Sequence, residues 1–266
     1  MTGSTDGRTT SASAADGVTA TTVDLSGPDA VPGSSTQLSG HLARPAGEGP
    51  WPGVVVLFEA FGLDDQMRLH AHRLARLGYL TLVPDLYADG GARRCLVSTM
   101  RASMSGEGKA YRDIETARRF LAGHPDSTGA VGSVGFCMGG GFALLSAATG
   151  FAAAAVNYGR LPKDLDAVLA GACPIVGSYG GRDAGNRGAA VALEDALERA
   201  GVVHDVREYP DAGHSFLNEG PNGPRLLRVL LERAGAGPHP PSAQNAWVRI
   251  EQFFATHLHE TLPSGT

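Results

Sequence analysis

Val134-Gly135-Phe136-Cys137-Met138-Gly139-Gly140-Gly141 stands between an apolar run and a stretch rich in Ala and Leu. It has the form of a nucleophile elbow, a sharp strand-to-helix turn, with Cys at its apex. Such a turn brings backbone so close to the residues two before and two after the nucleophile that a side chain there would collide. Gly135 and Gly139 meet that demand. Upstream, Ala130-Val131-Gly132-Ser133-Val134 reads as a buried strand, and Phe142-Ala143-Leu144-Leu145-Ser146-Ala147-Ala148 downstream reads as a helix. Cys137 then lies at a helix N-terminus, where the helix dipole and free amides favour a thiolate and the Met138 N–H points at a developing oxyanion.

A nucleophile of this kind needs a base and an orienting carboxylate, following it in the order acid, then His. Pro174-Ile175-Val176-Gly177-Ser178-Tyr179 is an apolar strand running into Gly180-Gly181-Arg182-Asp183, which sets Asp183 just past a strand's carboxyl end. Val206-Arg207-Glu208-Tyr209-Pro210 is a further strand-like run, followed by Asp211-Ala212-Gly213-His214-Ser215-Phe216. Of the nine His residues, His214 alone has this setting. Asp211 is a rival acid, but it is too near His214 in sequence to approach the ring from a separate strand end. A solvated or packing role is expected for the other His residues, including His70 and His72 on an amphipathic helix.

Outward from these motifs, the chain alternates strand and helix. Strands are predicted at 54–59, 80–84, 131–135, 153–158, 174–179 and 203–209, and helices near 65–77, 109–122, 138–149, 188–200 and 244–258. This predicts an α/β fold with a mainly parallel sheet covered by helices on both faces. Val18 to Leu25 and Gln37 to Ala43 form an N-terminal β-hairpin ahead of it. Residues 1–17, rich in Ser, Thr, Gly and Ala, are expected to be a disordered tail, with a single domain over 18–262. Gly235 to Pro241 reads as a loop before the last helix, near enough to His214 to shape a pocket rim.

The elbow, Asp183 and Ala212-Gly213-His214-Ser215-Phe216 together resemble the dienelactone hydrolase family of the α/β-hydrolase superfamily. A fourth stretch joins them: Val54 to Leu63 with Glu59-Ala60-Phe61-Gly62, then Met67-Arg68, Gly78-Tyr79 and Pro84-Asp85-Leu86-Tyr87-Ala88. The resemblance implies hydrolysis of a carboxylic ester or lactone, such as a carboxymethylenebutenolide-type enol lactone, through a thioester. It makes Cys137 the nucleophile, His214 the base and Asp183 its orienter. Glu59 matches a strand-end Glu that contacts the resting thiol and shifts when substrate arrives, and the Ala60 N–H becomes the second oxyanion donor beside Met138. Tyr87, Phe61, Phe216 and Asn218 are implied to line the substrate pocket. Members acting on dienelactone carry Arg four residues after the catalytic His, and here that residue is Asn218. A second carboxylate-binding Arg is expected after Tyr87, with Arg93, Arg94 and Arg101 as candidates.

Composition sets bounds. The 266 residues are 42% hydrophobic and 18% charged, which suits one sizeable core. A net charge of −5 argues against a nucleic-acid partner, since phosphate binding needs a basic face. Cys95, Cys137 and Cys173 are isolated, so neither a metal site nor a disulfide framework is predicted, and a reducing cytoplasm is. No cofactor, metal or membrane segment is expected; the partner is a small-molecule ester or lactone, and monomer and homodimer both stay open. A non-catalytic binding protein on the same fold and a redox-active thiol protein are the competing readings.

Overall fold

In the computed structural model, which describes residues 17–220 and 235–259, eight strands form one sheet. They are β1 (Thr19–Asp24), β2 (Ser39–Arg44), β3 (Trp51–Leu57), β4 (Leu80–Pro84), β5 (Ser127–Phe136), β6 (Ala153–Asn157), β7 (Ile175–Gly180) and β8 (His204–Tyr209). The spatial order is β1-β2-β4-β3-β5-β6-β7-β8. The hairpin pair β1/β2 and the β2/β4 contact are antiparallel, and every other pair is parallel. The expected α/β fold with an N-terminal hairpin is therefore present. All of β3, β4 and β6 is buried, as near-continuous Val, Leu and Ala runs demand when both faces are covered.

The helices are α1 (Asp65–Arg76), α2 (Ala92–Ser105), α3 (Lys109–Ala122), α4 (Met138–Leu145), α5 (Leu165–Leu169), α6 (Ala189–Ala200) and α7 (Pro240–His259). Two glycines reveal the layering. Leu121 of α3 covers Gly53 of β3, opposite Val131 of β5, whereas Leu258 of α7 covers Gly132, the next residue along β5. Successive residues of a strand face opposite sides, so α3 and α7 lie on opposite faces of the sheet.

Several elements differ from the expectation. Glu59 lies beyond the end of β3, in the loop that leads to α1. The helix after the elbow stops at Leu145, and α7 begins at Pro240, inside the segment expected to be a loop, since Pro needs no amide acceptor in a first helical turn. Helix α2 is not foreshadowed by periodicity. Its buried residues are Thr99, Ala102 and Ser103, with Cys95 and Leu96 partly buried against the core, while Val97, Met100 and Met104 are exposed. Residues 1–16 of the expected tail and 260–262 of the expected domain lie outside the described residues.

The sheet order reverses about β3 and β5. The chain steps from β3 outward to β4 on one side, and β5 to β8 proceed outward on the other. Loops leaving the carboxyl ends of strands at such a switch point diverge and open a crevice. The ends of β3 and β5 lead directly into Glu59-Ala60 and Cys137.

Candidate active site

Cys137 is the N-cap of α4 with φ 54° and ψ −115°. A Cβ on Gly135 would lie 2.0 Å from the Gly139 carbonyl oxygen, and one on Gly139 would lie 2.0 Å from the Leu57 oxygen. The turn is tied down from both sides: the Cys137 amide donates to Asn157 O at 3.1 Å, and its carbonyl accepts from Gly140 N at 3.0 Å. Among the described residues, the non-glycine residues at positive φ are Cys137, Tyr158 and Ser215. Each such conformation costs about 1–3 kcal/mol and persists where the surroundings over-determine it. All three meet at this one place.

The half-buried Cys137 lines a cavity of about 400 Å³ with His214, Asp183, Met138, Tyr158 and Arg160. Asp183 arrives from the end of β7 and His214 from the loop after β8. His214 Nδ1 and Asp183 Oδ2 are 2.6 Å apart. Asp183 also accepts from the Gly185 amide at 3.0 Å and from Asn186 Nδ2 at 2.8 Å, and Asn186 Nδ2 further reaches Tyr158 O. The carboxylate is thus fixed on three donors. Burial works against its charge, but the His214 bond and charge, Asn186 and the Gly185 amide together hold Asp183 below the usual carboxylate range. For His214 burial opposes the imidazolium, yet the bonds to Asp183 and to the Cys137 side chain lift it to about 10.

Glu59 is 2% exposed. Its Oε1 accepts from Ser215 Oγ at 2.8 Å and its Oε2 from Asn218 Nδ2 at 3.2 Å. Burial raises its proton affinity most, the Ser215 bond, the His214 charge and the Asn218 bond lower it, and Asp64 raises it again, leaving it raised overall. Tyr158 stands over His214, ring centroids 5.1 Å apart. Its hydroxyl is buried without a hydrogen bond of good geometry, although Glu59 is near enough that burial, Glu59 and Cys137 raise it well above the ordinary phenol range.

The four residues assigned to the pocket stand elsewhere than at the cavity wall. Tyr87 is buried behind it, its hydroxyl donating to Ala60 O at 3.0 Å and lying 3.9 Å from Met138 Sδ. Phe61 is half-buried in the same turn. Phe216 is fully buried between Tyr158 and Tyr209, and Asn218 is turned inward onto Glu59. Of the Arg candidates, Arg93 and Arg94 are exposed on α2, and Arg101 borders a separate groove with Asp89, Cys95 and Asp113. Among the described residues, the arginine that lines this cavity is Arg160, just past β6. Asp211 is exposed and pairs with Arg182 at 2.8 Å.

Sequence reading missed Met100, Ser103 and Met104 of α2, which form a wall of the cavity, and also Tyr158, Arg160 and Asn186. Tyr158-Gly159-Arg160 had one available signal, its position at the carboxyl end of a parallel strand. All three cysteines are free, and Cys173 is pushed up to about 12 by burial. Among the described residues no helix is long and apolar enough to cross a membrane, and no group of three or more His, Cys, Asp or Glu is placed to hold a metal ion.

Residues 38–258 match the dienelactone hydrolase family. A carboxymethylenebutenolidase of Pseudomonas putida is 31% identical over 195 residues, covering 69% of this chain and 83% of that protein. Among solved structures, a dienelactone hydrolase-like promiscuous phosphotriesterase from metagenomic libraries superposes with a TM-score of 0.73 at 25% identity, over 91% of this chain and 99% of that one. A dienelactone hydrolase from Anabaena variabilis shares the fold with a TM-score of 0.61 at 22% identity, over 86% and 95%. The family match spans the sheet from β2 to α7 and takes in the elbow and both of its partner loops, and the chain is a member of the dienelactone hydrolase family, a hydrolase of esters and lactones.

Proposed function

We propose that this enzyme cleaves a small carboxylic ester or enol lactone, of the carboxymethylenebutenolide type, through a thioester on Cys137. The observation that carries the reading is the 2.6 Å bond between Asp183 and an imidazole that shares the cavity with the elbow cysteine. His214 takes the thiol proton, and the thiolate attacks the substrate carbonyl. The oxyanion is held by the Met138 amide, which as the first helical N–H has no intrahelical acceptor, and by the Ala60 amide. As the tetrahedral adduct collapses, His214 protonates the departing oxygen and the thioester remains. Water deprotonated by His214 then attacks the thioester, the acid leaves, and the sulfur recovers a proton. Asp183 keeps the imidazole in the useful tautomer and stabilises its charged form.

Sulfur is a better leaving group than an amine, so an adduct formed from an amide reverts, whereas esters, enol lactones and thioesters go forward. Three free cysteines suit a reducing compartment, and we assign the enzyme to the cytoplasm on that basis. The test is turnover of p-nitrophenyl esters, enol lactones including dienelactone, thioesters and matched amides by wild type and Cys137→Ala. Ester and lactone turnover lost in the variant, with amides untouched throughout, is the expected outcome. Equal inertness of both proteins across the panel would contradict the reading.

A further inference from the structure

Helix α1 buries Met67, His70, Ala71 and Leu74 along one face, so an imidazole stands in an otherwise apolar stripe. The His70 ring stacks on Phe136, centroids 4.4 Å apart, and meets Trp247 at 5.2 Å. Its Nε2 is 3.1 Å from Asn218 Oδ1, and Asn218 in turn gives Nδ2 to Glu59 Oε2. A carboxylate only accepts, so the amide nitrogen of Asn218 faces Glu59 and its oxygen faces His70. His70 must then carry its hydrogen on Nε2. Burial and the charge of Arg73 oppose the imidazolium, and the Asn218 bond offsets them only in part, so His70 is lowered to about 4 and stays neutral at pH 7.

The opposite arrangement is available on paper. Protonated Glu59 would donate to the amide oxygen, the amide would turn over, and the imidazole hydrogen would move to Nδ1. That atom is buried with no hydrogen-bond partner among the described residues. A stranded donor costs more than a stranded lone pair, so the chain of bonds is biased toward ionised Glu59.

The groups acting on Glu59 are Asp64 ahead of α1, Tyr158 after β6, and His214, Ser215 and Asn218 after β8, with His70 of α1 reaching it only through Asn218. Asp64 disfavours the charge and His214 favours it. Burial leaves the proton affinity of Glu59 raised overall, and the bond from Asn218 is one of the contacts that oppose this. Ionised Glu59 in turn adds a second negative charge in favour of the His214 imidazolium, beside Asp183.

We propose that His70 and Asn218 are positioning residues that hold Glu59 as an anchored carboxylate next to the Cys137–His214 pair and so set the acid limb of thiol activation. This rests on the reading of Cys137 as the nucleophile. It gives Asn218 a function directed inward, at Glu59, in place of contact with substrate.

The experiment is the pH dependence of Cys137 alkylation by iodoacetamide in the full chain, with peptide masses separating Cys137 from Cys95 and Cys173. His70→Phe keeps an aromatic ring but removes the donor, His70→Gln keeps a donor, and Asn218→Asp sets a second carboxyl against Glu59. The midpoint of the acid limb is expected to rise by about one pH unit in His70→Phe and by more in Asn218→Asp. His70→Gln should return to within about 0.3 pH unit of wild type. Superimposable profiles for wild type, His70→Phe and Asn218→Asp overturn the proposal, as does a shift in His70→Phe that His70→Gln fails to correct. Should His70→Phe fail to fold, the near-isosteric Asn218→Asp carries the test. Alkylation requires no ester turnover, so failure of the hydrolase reading would appear as inertness toward every ester with these shifts intact.

Discussion

His214 bonds a carboxylate fixed by three donors and shares its cavity with a thiol at a strained turn. On the proposed mechanism, Asp183 is an orienter whose value lies in its acceptor character. Asp183→Asn keeps the shape but offers His214 Nδ1 a donor, which favours the wrong tautomer. The expected result is a fall in kcat of roughly 10²–10⁴-fold with KM little changed, measured on a p-nitrophenyl ester. The same pair predicts a stability profile. His214 is raised to about 10 from an ordinary value of 6.5, so between those pH values the folded chain holds a proton that the unfolded chain has released. The stabilisation is therefore complete below about pH 6.5 and is lost as pH rises toward 10. Thermal midpoints of wild type and His214→Ala should be farthest apart near pH 6 and converge by about pH 10. A gap that widens with rising pH contradicts the assignment.

At the scale of elements, the elbow is a contact between backbones. The Cβ of an alanine at 139 would meet a main-chain carbonyl of β3 at 2.0 Å, and neither strand nor helix can retreat without opening the sheet. Gly139→Ala is expected to cost at least about 3 kcal/mol and to remove activity, read by chemical denaturation alongside turnover. Unchanged stability would mean that the turn is looser than described. The elbow was legible because its demand falls on residue types, glycine at two fixed offsets. The parallel strands were legible because burial of both faces leaves near-continuous apolar runs, and α3 because burial of one face imposes a helical period. Helix α2 escaped for the opposite reason. It turns the small or polar Thr99, Ala102 and Ser103 toward the protein and leaves Met100 and Met104 at the mouth of the cavity, so few of its large apolar residues mark the buried face. The wall of the site was lost with it.

Over the whole molecule, the sheet converts distances along the chain into one cluster. Glu59, Cys137, Tyr158, Asp183 and His214 follow the carboxyl ends of β3, β5, β6, β7 and β8, which lie beside one another in the sheet. Asp183 and Asp211 both lie between Cys137 and His214 in the chain, and it was the nearness of Asp211 to His214 in sequence that spoke against it; in the structure Asp211 is exposed and pairs with Arg182, while Asp183 bonds His214. Arg160 was not accessible to that logic, because an exposed arginine after a strand looks like any solvated residue until the cavity beside it is known. Asn218 illustrates a different limit: its place in the family pattern suggested substrate, and only the direction of its amide, toward Glu59 and His70, reveals its partner.

The central claim is a covalent acyl group on one sulfur. The direct measurement is the intact mass of the enzyme quenched in acid during turnover of a p-nitrophenyl ester, followed by peptide mapping. The account predicts a mass increase equal to one acyl group, located on Cys137, discharged by hydroxylamine and absent from Cys137→Ala. Full turnover by Cys137→Ala, or an acyl group located on a residue other than Cys137, would contradict it.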